Sequence, residues 1–98
     1  MDYDKKLDEF TIGFTLVVSY SVNETNKINA FGFAKDDKKI LTHITNWEKH
    51  FQKQKEQTEG SGVIYASSLT ILRTLYYPNI GSLSVIDISK EELKAFFA

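Results

Sequence analysis

FTIGFTLVVSYSVNETNKINAFGFA, residues 10–34, decides the fold. Its first half alternates without a break. Phe10, Ile12, Phe14, Leu16, Val18, Tyr20 and Val22 share one face of an extended chain. Thr11, Gly13, Thr15, Ser19 and Ser21 share the other, with Val17 the one sizeable apolar residue among them. Side chains of a strand alternate with period two, so 10–22 is predicted to be a strand with one buried face. At about 3.3 Å per residue it would span roughly 43 Å, so part of it is expected to overhang or lie at a sheet edge. Asn23, Glu24, Thr25 and Asn26 follow, residues that bond their own backbone or tolerate turns, and then a strand over 28–34. A four-residue loop sets Val22 opposite Lys27, Val18 opposite Phe31 and Leu16 opposite Phe33. Both phenylalanines then join the apolar face. Ile28, Ala30, Gly32 and Ala34 extend the other into a floor of mostly small side chains.

The apolar face needs a cover, and residues 37–57 supply one. Ile40, Ile44, Trp47 and Phe51 fall within about 60° of one another at 100° per residue, with Leu41 on the flank and lysines and glutamines around the rest. Asp36 or Asp37 is the expected cap. Burying the hairpin under Trp47 and Phe51 stabilises by about 1.5–3 kcal/mol per large side chain. TEGSG, residues 58–62, turns the chain, and VIYA, residues 63–66, is expected to be a short strand. LTILRTLYY, residues 69–77, satisfies either a strand or a helix stopped by Pro78; the loop PNIGS and the extended SLSVIDIS beyond it favour a strand. A five-residue loop there sets Leu75 opposite Val85, and Arg73, the only arginine, opposite Asp87. Ser89 and Glu92 form a capping box that opens a last helix carrying Leu93, Phe96 and Phe97. The expected fold over residues 1–98 is a single α+β domain. Its antiparallel sheet of four to five strands is built from two ββα units, with a long amphipathic helix packed on one face and a short C-terminal helix. The order, with a helical turn in residues 3–8, is similar to that of roadblock-type and profilin-like modules and of some secretion chaperones. That similarity is one of element order alone and assigns no function.

Composition narrows the function classes. Twelve Lys+Arg against thirteen Asp+Glu leave a net charge of −1, without the basic excess that a sequence-independent grip on phosphates needs. There is no cysteine, hence no disulfide, thiol nucleophile or cysteine-based zinc site. Acids and lysines mix at the N-terminus ahead of any apolar run, unlike a signal peptide, and a cytoplasmic location without membrane insertion is expected. NAFGFAKD, residues 29–36, resembles the second signature of RNA-recognition motifs, whose aromatics stack on successive bases. The resemblance covers Phe31, Gly32, Phe33 and Ala34. Asn29, Ala30 and Asp36 stand where the motif has a basic residue, a glycine and an aromatic, and the two phenylalanines share a face with a long apolar alternation.

Catalytic chemistry finds little footing. His43 and His50 are seven apart, two helical turns or about 10 Å, whereas helical metal pairs are three or four apart. Ser61, Ser67 and Ser68 lie in Gly- and Ser-rich turns without a strand–GxSxG–helix context, and GSG at 60–62 follows a helix rather than preceding one. No catalytic residue, cofactor or metal is expected. Aromatics in excess of what a small core holds, Tyr65, Tyr76, Tyr77, Phe96 and Phe97, are together with His43 and His50 the candidate partner-binding residues. The expected function is non-catalytic protein–protein interaction, as an adaptor, inhibitor, immunity protein or complex subunit, with self-association included. The alternative is nucleic-acid binding through Phe31, Phe33 and the lysines at 27, 35, 38 and 39.

Overall fold

A computed structural model describes residues 9–98, and the helical turn expected within 3–8 lies outside them. The alternating run becomes β1 (Thr11–Val22), followed by β2 (Thr25–Ala34) and the helix α1 (Lys39–Thr58). Then come β3 (Tyr65–Tyr77), β4 (Ser82–Ile88) and the short helix α2 (Lys90–Phe96). The four strands form one antiparallel sheet in the order β2-β1-β3-β4. The described residues therefore form an α+β fold, with one four-stranded sheet and the helices α1 and α2. VIYA supplies no strand of its own: Val63 and Ile64 lead irregularly into β3, which runs unbroken through the residues that could have been helical. β1 lies inside the sheet, not at its edge, because β2 and β3 satisfy its backbone groups on both sides.

Both hairpins differ in register from the sequence expectation, with opposite consequences. In the first, Val22 pairs with Thr25, so the connection is two residues rather than four. Asn23 takes the left-handed conformation, φ 48°, that such tight connections demand. Its backbone N–H donates to the Ile64 carbonyl at 2.7 Å, and its side-chain oxygen accepts from the Ile64 N–H at 3.0 Å. The shift is two residues, so every side chain keeps its face: Leu16 meets Phe31 and Phe14 meets Phe33. In the second hairpin Tyr77 pairs with Ser82 across a four-residue connection that ends at Gly81, φ 61°. Here the shift is one residue, which exchanges faces. Arg73 lies opposite Ile86, and Asp87 lies opposite Leu72 on the other side of the sheet, so the expected Arg73–Asp87 pair does not form.

One side of the sheet carries the core. Phe14, Leu16 and Val18 of β1, Ile71 and Leu75 of β3 and Ile88 of β4 are buried there together with Ile40, Ile44 and Phe51 of α1 and Leu93 of α2. Arg73 is buried on this side too; its Nε donates to the Thr11 hydroxyl at 2.7 Å, and its guanidinium lies 4.9 Å from the Phe96 ring centroid. The α1 N-cap is Lys38, without a side-chain bond, while the Asp37 carboxylate accepts from the Lys39 N–H one position along. A Glu48–Lys90 ion pair at 2.9 Å links the two helices; exposed to solvent and screened by salt, it contributes little to stability.

Candidate functional site

The hairpin's aromatics and the helix that covers them make a first surface. Phe31 and Phe33 project from β2 beneath α1, where the His43 ring meets Phe33 at 5.0 Å edge-on and Phe31 at 6.1 Å. Trp47 packs on Phe31 at 6.0 Å and Phe51 at 5.5 Å, and His50 stands edge-on to Trp47 at 5.6 Å. Tyr20, His43, Asn46, Trp47 and His50 line an open hollow of about 390 Å3. The two histidines thus share one hollow, separated by the tryptophan. Among the described residues no group of three or more His, Cys, Asp or Glu is placed to hold a metal. Phe31 and Phe33 are half-buried, and the rings of α1 occupy the side on which bases would stack. Lys35 and Lys38 belong to a different hollow, of about 300 Å3, with Asp36, Phe96 and Phe97.

The remaining candidate residues do not converge. Phe96 and Phe97 pack on Phe14 at 5.0 and 5.9 Å, at the margin of the core. Tyr77 packs on Phe10 at 4.8 Å. Tyr65 packs against the core; burial, reinforced by the neighbouring Tyr20 phenol, raises its pKa above the ordinary tyrosine value. Tyr76 alone of the five lies on the opposite side of the sheet, where it is 40% exposed.

That opposite side is the second surface, and no described element packs against it. Its rows run across the strands in the order β2, β1, β3, β4. One row is Ala34, Gly13, Thr74 and Val85; the next is Gly32, Thr15, Leu72 and Asp87. The shorter rows are Ala30, Val17 and Thr70, then Ile28, Ser19 and Ser68, then Asn26, Ser21 and Ala66. Tyr76 and Leu83 pair beyond the first row. In a chain that is 26% charged, Asp87 is the one charged side chain on the whole described face. Ile28 (69%), Leu83 (64%) and Val85 (57%) stand in solvent there. Sequence reasoning found the small-residue floor of β1 and β2 but missed Leu72, Leu83 and Val85. Apolar residues occupy both parities of β4, so alternation alone does not say which of Val85 and Ile86 faces out.

Among the described residues no helix is long and apolar enough to cross a membrane. Compared with protein-family models, curated proteins and solved structures, the chain matches none.

Proposed function

We propose that this chain is a small non-catalytic protein-interaction module, working as an adaptor, inhibitor, immunity protein or complex subunit through the open face of its sheet. One observation carries the reading: among the described residues this sheet face bears a single charged side chain, Asp87, while Ile28, Tyr76, Leu83 and Val85 are exposed. Depletion of charge with retention of aromatic and aliphatic side chains is the compositional mark of an interface core, and a merely solvated face has no cause to exclude lysine and glutamate. The same reading takes the fold as two ββα units meeting at β1 and β3, with the long helix sealing the other face so that this one is free. Nucleic acid is the less favoured partner, since the phenylalanines lie under α1.

Site-specific photocrosslinking in the native host tests the reading. A photoreactive residue placed at Val85 should give protein adducts, and one at Lys53, exposed on α1, should not. Adducts from position 53 with none from 85, or RNA as the adduct from 85, would sink it.

A further inference from the structure

We infer that the partner seated on the open face is a second copy of this chain, related by a two-fold axis that runs along the strands between β1 and β3. The inference rests on the interaction reading above and adds the identity of the partner.

The first argument is shape. In each long row every residue on β3 and β4 is larger than the one at the mirrored place on β1 or β2: Thr74 than Gly13 and Val85 than Ala34 in one, Leu72 than Thr15 and Asp87 than Gly32 in the next. Turning the face over about an axis parallel to the strands reverses each row onto itself. Val85 then stands over the partner's Ala34, Leu72 over the partner's Thr15 and Thr74 over the partner's Gly13. Large meets small on both sides of the axis, as an isologous contact requires. The two sheets keep their strands aligned, the commoner way for sheets to stack, about 10 Å apart. The central row reads Val17 over the partner's Thr70, twice.

Electrostatics and area agree. A face with one charge has no pattern by which to select a foreign surface, and it pays no like-charge penalty against itself. Asp87 is on the edge strand β4, where its carboxylate reaches the wet rim. Four strands about 4.8 Å apart and about ten residues long give roughly 600 Å2 per copy. Two copies cover about 1,200 Å2, the lower end of specific interfaces, so the dissociation constant should be on the order of micromolar.

Sedimentation of the full chain over a dilution series spanning that range should show dimers that dissociate to monomers. Val17→Lys and Thr70→Glu, each alone, bury an unpaired charge and should weaken association at least about 100-fold. Mixing the two variants sets the introduced lysine over the introduced glutamate across the axis and should restore a heterodimer. Circular dichroism and a urea melt of each variant guard against ones that fail to fold. Dimers that survive these substitutions would overturn the inference, as would a mixture that stays monomeric. A wild-type chain monomeric throughout overturns it as well. In that case a foreign adduct from position 85 leaves the interaction reading standing, and its absence removes both.

Discussion

The Tyr65 hydroxyl is buried and has no hydrogen-bond partner among the described residues. Desolvation, with the Tyr20 phenol adding to it, favours the neutral phenol in the folded chain and raises its pKa. A raised folded pKa means that the contribution of the neutral form is fully present below the unfolded value of about 10 and is lost as pH rises through the folded value. Tyr65→Phe removes both the titration and the unsatisfied oxygen. The variant should be more stable than wild type by about 1 kcal/mol at neutral pH, and the gap should widen above pH of about 10. Urea unfolding at the two pH values measures both, and a wild-type advantage at high pH would refute the assignment. Nothing local marked Tyr65 as a core-side residue. VIYA read as a separate short strand leaves its ring free, and only its place in the long β3, opposite Val22, turns it toward α1.

At the scale of elements, what is written locally was legible and what depends on a distant contact was not. The α2 cap is the clearest local case: Glu92 N–H donates to the Ser89 hydroxyl at 3.0 Å, and Ser89 N–H donates to the Glu92 carboxylate at 3.2 Å, as the S-x-x-E spacing implies. A seven-residue helix is far below the length that stands alone, so α2 depends on this cap and on the burial of Leu93. Ser89→Ala should therefore cost about 1 kcal/mol of global stability. It should also raise amide exchange at Leu93, whose N–H donates to the Ser89 carbonyl, more than in the sheet. Hydrogen exchange with a urea melt checks the pair. The hairpin registers had no such local signature. Asn23 accepts its left-handed conformation in company with Ile64, 41 residues away, and only that anchorage distinguishes a two-residue from a four-residue connection.

For the whole molecule, the sheet separates a side covered by α1 from a side that no described element covers. Trp47, the only tryptophan, reports on the covered side through Tyr20, Phe31 and Phe51. The proposed association through the open face would leave that environment untouched. Dilution through the dimer–monomer transition should thus leave the tryptophan emission maximum where it is, whereas unfolding should move it to longer wavelength. Emission that shifts on dilution alone would place the contact at the α1 hollow instead. The hollow itself was half legible: His43, Asn46 and His50 share a flank by helical spacing, but Tyr20 joins them only because β1 runs beneath α1.

What the amino-acid sequence determined by itself is everything with a short period: the half-buried β1, the amphipathic stripe of α1, the capping box of α2, and the placing of Phe31 and Phe33 on the apolar side. Those features depend on residues a few positions apart, where chain geometry leaves little choice. Tertiary structure alone decided that β1 lies inside the sheet, that Arg73 and Asp87 part to opposite faces, and that no described element covers a nearly uncharged face. The physical reason is that strand order and register are set by pairing between distant segments, and a slip of one residue there changes no local preference while it exchanges every side chain between core and solvent.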